Sequence, residues 1–257
     1  MTDMISIVDV CKTFQSAGLN PFVSPKATRA LDHVSLDARA GEIVALVGRN
    51  GTGKSTLMKI LCTVVTPDSG QATVNGYDAV RQAAAVRRSI GLAGGDERSF
   101  YWRLSARQNL HLFAVLQNMP LKDIKPRVDE LLDRFGLADK ADVAFRNFST
   151  GMKQRLALAR SIMHNPRVLL LDEPNKGLDP LLQDSLKEFL TKELVERLGM
   201  TLLVATHDLD MASAVAHRAA LLDKGRLLFF GKPDGPEHLR TLLKDAAGAN
   251  GDGFAMT

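Results

Sequence analysis

A glycine-rich segment carries the residue types whose spacing indicates chemistry most clearly. Residues 48–56 read Gly-Arg-Asn-Gly-Thr-Gly-Lys-Ser-Thr, and Gly48, Gly53, Lys54 and Ser55 fit the spacing G-x-x-x-x-G-K-[ST]. In such a loop, glycines let backbone N–H groups close around phosphate oxygens, and the lysine reaches the outer phosphates. The serine hydroxyl can ligate Mg²⁺, and the helix predicted to follow adds the positive end of its dipole. The segment therefore predicts a phosphate-binding loop for a nucleoside triphosphate.

An acidic pair ends a second apolar run, which covers residues 168–171. We predict that this run is a buried strand of a parallel sheet, so that Asp172 and Glu173 lie at the ligand-binding edge of the sheet. Asp172 is then placed to hold the water shell of Mg²⁺. Glu173 is the best candidate for the general base that acts on a water attacking the γ-phosphate.

These residues need a sheet to position them, and the hydrophobic pattern predicts one. Short apolar runs alternate with longer helical patterns, which indicates an α/β fold with a mostly parallel sheet covered by helices. The part before the glycine-rich loop favours antiparallel strands. The stretch from about 94 to 165 predicts an inserted helical subdomain, and residues 181–197 predict one helix. We expect one ATPase domain over 4–245 and a disordered tail over 246–257.

Composition limits the other possibilities. The chain has 257 residues, 45% hydrophobic and 24% charged, which excludes a disordered, collagen-like or coiled-coil protein as a whole. The formal net charge of +4 suits an anionic ligand or a membrane surface and does not by itself indicate nucleic acid. No apolar run is long enough to cross a bilayer. Residues 1–10 show no secretory signal pattern, and the two cysteines are expected to be reduced core thiols.

A third motif gives the chain a family resemblance. Residues 148–155 read Phe-Ser-Thr-Gly-Met-Lys-Gln-Arg and end 17 residues before Asp172. This segment resembles the signature of the ATP-binding cassette of ABC transporters. The order of phosphate loop, helical insertion, signature, acidic strand and late histidine is similar too, over residues 4–243. The resemblance implies a P-loop NTPase core, with ATP and Mg²⁺ as cofactors.

The resemblance also implies roles for individual residues. Ser149 and Gly151 would contact the γ-phosphate of a nucleotide bound to the opposite subunit, and His207 would contact the γ-phosphate and orient water. The loop 175–180 would couple the two sites, and Phe14 would stack on adenine. The implied ATP-binding residues are Phe14, Gly48, Asn50, Gly51, Gly53, Lys54, Ser55, Thr56, Ser149, Gly151 and Asp179. The candidate catalytic residues are Glu173 and His207, and the candidate metal ligands are Ser55, Asp172 and, where the chain departs from the family pattern, Asp96.

The sequence departs from the family pattern after the predicted strand 90–93. The family has a glutamine there that reaches Mg²⁺ and the attacking water, whereas this chain reads Gly-Gly-Asp-Glu over 94–97. Asp96 is the candidate replacement, although its carboxylate is charged where the amide is neutral. The Thr-Gly-Met-Lys form of the signature and the segment 96–104 resemble those of export-type cassettes.

We therefore expect an ATP-hydrolysing subunit that powers transport through a separate transmembrane permease. It would lie at the cytoplasmic face of the membrane and form a homodimer, or a heterodimer with a similar cassette, when ATP is bound. No nucleic acid partner is expected. Two alternatives stay open at this point: a non-transport cassette ATPase acting on nucleic acid or ribosomes, and a regulatory module that binds ATP with little turnover. A GTPase is disfavoured, because Leu178 stands where Asn175-Lys176 would need a following aspartate.

Overall fold

A computed structural model of the chain describes residues 3–15, 27–94 and 100–249. Its ten strands form two sheets, and the six-stranded sheet has the order β10-β9-β3-β8-β7-β6. Neighbours from β9 to β6 pair in parallel, and β10 pairs antiparallel at one edge. The strands are β1 Asp3–Gln15, β2 Ala27–Arg39, β3 Ile43–Val47, β4 Ser69–Val74, β5 Tyr77–Asp78, β6 Ile90–Gly94, β7 Val168–Asp172, β8 Thr201–Thr206, β9 Arg218–Asp223 and β10 Arg226–Gly231.

The second sheet contains the remaining strands in the order β2-β1-β4-β5, all antiparallel. It corresponds to the antiparallel part predicted before the glycine-rich loop. The fold class expected from the sequence is thus confirmed: an α/β core with a mostly parallel sheet, and an antiparallel part built mainly from the N-terminal residues.

Helices cover the central sheet, and three of them lie between β6 and β7. They form the inserted helical subdomain that the sequence predicts, and β6 and β7 are neighbours despite this insertion. The helices are α1 Lys54–Leu61, α2 Ala83–Ser89, α3 Ala106–Leu116, α4 Leu121–Arg134, α5 Thr150–Ser161, α6 Pro180–Glu188, α7 Leu209–Val215 and α8 Pro236–Ala249.

Two helix predictions need correction. The helix expected over 181–197 is α6 followed by a π-helical segment, Phe189–Arg197, in which the hydrogen-bond period lengthens. Apolar periodicity does not distinguish these two backbone patterns. Residues 246–249, expected to belong to a disordered tail, are the last residues of α8. Residues 250–257 lie outside the part that the structure describes.

The core lies on both faces of the central sheet. Side chains of a strand point alternately to opposite faces, so β7 supplies Leu169 and Leu171 to one apolar cluster and Val168 and Leu170 to another. The first cluster packs the helical subdomain against the sheet, and the second packs β1, β2 and α1 against it. Burial on both faces explains why β3 and β8 are wholly buried and apolar runs mark the central strands.

Close packing of the helical subdomain depends on a glycine in β6. A Cβ built on Gly91 would overlap the carbonyl oxygen of Ser161, at the end of α5. In the same strand, a Cβ on Gly94 would meet the Cβ of Asp172 at 3.5 Å, which is ordinary contact. The two glycines therefore differ in the space available beside them.

We predict that Gly91→Ala lowers stability by about 1–3 kcal/mol, because the added methyl must push α5 away from the sheet. At about 2–4 °C per kcal/mol, the loss is visible as a lower melting temperature in calorimetry. Gly94→Ala is the matched control and should melt close to the wild-type temperature. Equal melting temperatures for the two variants would contradict the packing argument.

Candidate nucleotide-binding site

Three neighbouring strands bring the predicted chemical groups to one edge. In the parallel register Val47 of β3 lies beside Thr206 of β8, and Asp172 of β7 lies beside Ala205. The glycine-rich loop, the acidic pair and His207 each follow one of these strand ends. The sheet thus places together the phosphate loop and the two residues predicted to be catalytic.

The glycine-rich loop closes around its own lysine. The Nζ of Lys54 donates to the backbone oxygens of Gly48 at 2.5 Å and Arg49 at 2.9 Å, and Lys54 is only 6% exposed. The hydroxyl of Thr52 donates to the Arg49 oxygen at 2.9 Å. These three hydrogen bonds tie Lys54 and Thr52 to the backbone of the loop and fix its conformation.

A glycine fits where the loop meets β2. Gly53 has φ +111°, and a Cβ there would lie 2.5 Å from the carbonyl oxygen of Ala30. Helix α1 begins directly afterwards, so its N-terminal amides face the loop. Of the other loop residues predicted to bind ATP, Asn50, Gly51 and Ser55 are exposed and Thr56 is partly buried.

Glu173 has a strained backbone conformation, and both oxygens of its carboxylate have hydrogen-bonding partners. Its φ is +50°, a conformation that non-glycine residues adopt mostly at turns and functional sites. The Glu173 N–H donates to the carbonyl of Ala205 at 2.8 Å. One carboxylate oxygen accepts from the backbone N–H of His207 at 3.1 Å and lies 2.8 Å from its Nδ1; the other accepts from the Thr206 hydroxyl at 3.3 Å.

Burial and charge act against one another at this edge. Burial lowers the pKa of Lys54, while the nearby charges of Glu173 and Asp172 raise it. The net pKa of Asp172 is raised, first by burial and then by the charge of Glu173, with Lys54 opposing both. The ligand-free edge therefore holds a carboxylate that would gain from a further positive charge.

A hydrogen-bonded chain that the sequence analysis did not predict links the loops after β7 and β8. The buried Asn175 side chain donates to Asp208 Oδ2 at 2.7 Å, and the other oxygen of Asp208 caps α7 by accepting from Met211 N–H at 3.0 Å. The Asp208 N–H donates to the hydroxyl of Thr206 at 3.0 Å, which itself donates to Glu173. The available signal was a run of polar residues, 206–208, directly after an apolar strand.

The signature residues Ser149 and Gly151 lie at the start of α5, and Asp179 of the coupling loop 175–180 lies at the start of α6. Ser149 caps α5 by accepting from Met152 N–H at 3.3 Å, and Asp179 caps α6 by accepting from Leu182 N–H at 3.0 Å. The two helices meet closely, because a Cβ on Gly151 would lie 2.8 Å from Leu182 Cδ1. Ser149 and Asp179 are both exposed.

One predicted residue is not brought into this group, and another lies outside the described residues. Phe14 lies near the end of β1, in the four-stranded sheet, where it is 41% exposed and has the Lys12 ammonium 5.6 Å from its ring centre. Asp96 falls in residues 95–99, which lie outside the described part of the chain. Their implied roles at adenine and at the metal stay predictions.

A protein-family model described as ABC transporter matches residues 31–176, more than half of the chain. The chain belongs to the ABC transporter family. It is an ATP-binding subunit of such a transporter and an ATPase, since this family of ATP-binding domains hydrolyses ATP to power transport.

Similar proteins share this cassette but differ in what their names say they transport. The ABC transporter ATP-binding protein NatA of Bacillus subtilis is 32% identical over 228 residues, covering 89% of each chain. The daunorubicin resistance ATP-binding protein DrrA3 of Streptomyces coeruleorubidus is 38% identical over 85% of this chain and 70% of its own. The methionine import ATP-binding protein MetN 3 of Pectobacterium atrosepticum is 37% identical over 88% of this chain and 64% of its own.

Solved cassettes have the same fold. The structure of cbiO1 from Clostridium perfringens, part of the ABC transporter complex cbiONQ, has a TM-score of 0.79 at 26% identity and covers 97% of this chain and 95% of its own. The dimeric structure of a bacterial ABC transporter cassette has a TM-score of 0.77 at 27% identity and covers 90% of this chain and 100% of its own. Among the residues described here, no helix combines the length and apolar character needed to span a membrane.

The raised pKa of Asp172 predicts a pH-dependent gain in stability for Asp172→Asn in the ligand-free cassette. Below the ordinary aspartate value of 3.8, Asp172 is protonated in both folded and unfolded chains, so the variant and wild type should melt alike. As pH rises, the wild type must carry an unfavourable buried charge and the variant does not. At about pH 7 we expect the variant to melt about 2–4 °C higher in calorimetry.

Asp139→Asn is the control for this experiment, because Asp139 is an exposed carboxylate with 72% of its side chain accessible. It should shift the melting temperature little at either pH. A destabilised Asp172→Asn at neutral pH would show that the charge of Asp172 is favourable where it lies.

Proposed function

We propose that the cassette hydrolyses ATP with Glu173 as general base and thereby powers export through a separate transmembrane permease. The observation that carries the proposal is the position of Glu173, one residue after β7, beside His207 and near the phosphate loop. A water above this edge would lie between the carboxylate and the γ-phosphate of a nucleotide held by Lys54. Charge that develops on the γ-phosphate would be stabilised by Lys54 and the amides at the start of α1.

The contact between Glu173 and His207 fixes the proton on the imidazole. A carboxylate can only accept a hydrogen bond. In a neutral His207 the proton therefore lies on Nδ1, and Nδ1–H donates a hydrogen bond to Glu173. Nε2 of that neutral ring is then an acceptor and cannot donate to a γ-phosphate. A hydrogen bond from Nε2 to the nucleotide requires either an imidazolium, which keeps the contact with Glu173, or a change of tautomer, which removes the Nδ1 donor and leaves Glu173 with the His207 N–H and the Thr206 hydroxyl. By the second route, nucleotide binding would weaken the hold on the base.

The residues present fit a Mg²⁺ ion. Hard oxygen ligands suit this ion, and Ser55, in the first turn of α1, and Asp172, the last residue of β7, offer a hydroxyl and a carboxylate. The raised pKa of Asp172 is the observation that favours a cation there, because a divalent ion offsets the penalty of burying this charge. When bound, Mg²⁺ would neutralise phosphate charge.

A second cassette would complete the site. Ser149 and Asp179 are exposed, and with Gly151 they mark the starts of α5 and α6 rather than the phosphate loop of their own chain. The N-terminus of α5, twelve residues long, offers backbone amides and a hydroxyl to a phosphate. The proposal that they contact nucleotide on a partner cassette, the same chain or a similar one, is supported by the dimeric structural neighbour.

We further propose that the direction of transport is export and that the cassette lies at the cytoplasmic face of the membrane. The Thr-Gly-Met-Lys form of the signature and the relative named for daunorubicin resistance support export. The methionine import relatives support the opposite direction, although this chain spans only 64% of the length of the one described above. Tyr101 and Trp102, each more than half exposed in the helical subdomain, suit contact with a permease.

We predict that Glu173→Gln binds ATP but loses at least 100-fold in turnover, because the amide keeps the shape and cannot take a proton. ATP should stay bound, and size exclusion with ATP and Mg²⁺ should show a stable dimer. Glu188→Gln changes an exposed glutamate of α6 in the same way and should leave turnover unchanged. Wild-type turnover in Glu173→Gln would remove Glu173 from the role of base. A wild-type protein that binds ATP without turnover would favour the regulatory alternative.

The direction of transport can be tested without knowing the substrate. In the native host, Glu173→Gln should block transport while leaving the permease in place. Comparing metabolites inside cells and in the medium against wild type should show a compound retained inside. A compound depleted inside and left in the medium would instead indicate import.

A further inference from the structure

A group of potential metal ligands lies on the four-stranded sheet, apart from the Glu173 carboxylate. One ligand atom each from Cys11, Asp32 and His33 lies within 4.8 Å of the others. Cys11 is on β1, and the other two are consecutive residues of β2. Sulfur, carboxylate oxygen and imidazole nitrogen together form a ligand set typical of Zn²⁺. Spacing along the sequence hides this group, because the pairing of two strands assembles it.

Irregularities in both strands turn the side chains towards one another. The β1–β2 register shifts between Ile7 and Val10 and again before Lys12. Asp9 and His33 have φ of +54° and +53°, which places each at a local kink. As a result Nδ1 of His33 lies 2.6 Å from a carboxylate oxygen of Asp9.

The contact with Asp9 prepares His33 as a ligand. The carboxylate can only accept, so it holds the proton on Nδ1 and leaves a lone pair on Nε2 of the neutral ring. A histidine whose second nitrogen binds a carboxylate is the usual arrangement around a protein-bound metal, because it fixes the ring and raises its basicity. The Sγ of Cys11 accepts from the His33 N–H at 3.3 Å, a contact that holds the sulfur beside the imidazole.

Nε2 of His33 lies near Oδ1 of Asp32, a buried oxygen that accepts no hydrogen bond from the described residues. It lies 3.9 Å from Oδ1 of Asp32, beyond hydrogen-bond distance. Asp32 is only 7% exposed, and Oδ1 has no hydrogen-bond partner among the described residues, whereas Oδ2 accepts from Arg226 at 2.6 Å. Two acceptors at 3.9 Å repel unless a cation lies between them. Two tetrahedral ligands about 2 Å from one ion lie roughly 3.3 Å apart, so these two atoms would have to approach by about half an ångström to share an ion.

Arg29 is the competitor for this position. Its Nη1 lies 2.8 Å from Asp32 Oδ1 as an ion pair whose geometry does not qualify as a hydrogen bond. The Arg29 side chain is 56% exposed, so it can swing into solvent at small cost, whereas Arg226 can keep Oδ2. The His33 and Asp9 side chains are each 61% exposed, which leaves an entry path and room for water as a fourth ligand.

We infer that Cys11, Asp32 and His33 form a Zn²⁺-binding site, with Asp9 as the positioning residue of His33. Thiolate and carboxylate together supply two negative charges to the ion. The site lies close to the nucleotide-binding half of the core: Asp32 N–H donates to the carbonyl of Gly225 at 2.8 Å, next to the contact between β2 and Gly53. Zn²⁺ would therefore tie β1 to β2 beside the phosphate loop without touching Glu173 or Lys54.

The test is a titration of the full chain, free of tags and stripped with chelator, with Co²⁺ as a spectroscopic substitute for Zn²⁺. We expect one Co²⁺ per chain, with a thiolate charge-transfer band in the near ultraviolet that Zn²⁺ abolishes on displacement. Cys11→Ser should abolish this band. Zn²⁺ should raise the melting temperature of the wild type and leave that of Cys11→Ser unchanged.

Further variants separate ligation from folding. Asp9→Asn and His33→Gln alter exposed side chains, and we expect a 10–100-fold loss of affinity for Asp9→Asn and at least that for His33→Gln. Arg29→Ala should bind more tightly than wild type, because it removes the competing cation. Cys62→Ala is the matched control: it removes the other thiol, which lies at the end of α1, and should keep the Co²⁺ spectrum.

Three outcomes would overturn the proposal. They are no Co²⁺ binding at micromolar protein by a folded wild type, a spectrum without a thiolate band, and a spectrum unchanged in Cys11→Ser. The first would leave the group as a cluster held by the Arg29–Asp32 ion pair and the His33–Asp9 contact. ATP turnover is measured separately, so failure here leaves the role of Glu173 untouched.

Discussion

Lys54 is buried near Asp172 and Glu173 where β3 and β7 end, and this grouping of charges sets the conditions for the rest of the site. Lys54 and Asp172 each lose water on burial, and the opposite charges nearby compensate this loss only in part. Parallel pairing through β8 keeps the groups together, because strand register leaves little freedom at the ends. Without nucleotide, Lys54 is satisfied by loop carbonyls and Glu173 by donors from the loop after β8. A bound triphosphate would supply negative charge to Lys54, and a bound metal ion would supply positive charge to Asp172.

Much of this arrangement could be predicted from the sequence, because its causes are local. The glycine-rich loop needs particular backbone angles, and only some residue types allow them. Central strands buried on both faces need apolar runs, so Ile43–Val47 and Val168–Asp172 stand out without any structure. Parallel strands then predict that the groups following them meet at one edge. The helical subdomain also follows from its own 3.6-residue periodicity.

The remaining features depend on contacts between distant residues. The link from Asn175 to Asp208 joins residues 33 positions apart, and the polar run 206–208 does not by itself identify Asn175 as the partner. The group around His33 depends on two strand irregularities that a regular alternation pattern does not reveal. The π-helical segment after α6 is an adjustment of hydrogen-bond period that side-chain patterning leaves open. In each case tertiary packing, rather than local preference, decides the outcome.

The division of the core between the two faces of the sheet has a consequence for local opening. Helices α3 and α4 bury their apolar side chains in one cluster, whereas α1 buries its own in the other. A fluctuation that lifts the helical subdomain removes contacts from one face and leaves the support of the phosphate loop intact. Backbone amides of α3 and α4 should then exchange with deuterium through openings smaller than global unfolding, while those of β3 and α1 exchange only when the whole domain unfolds.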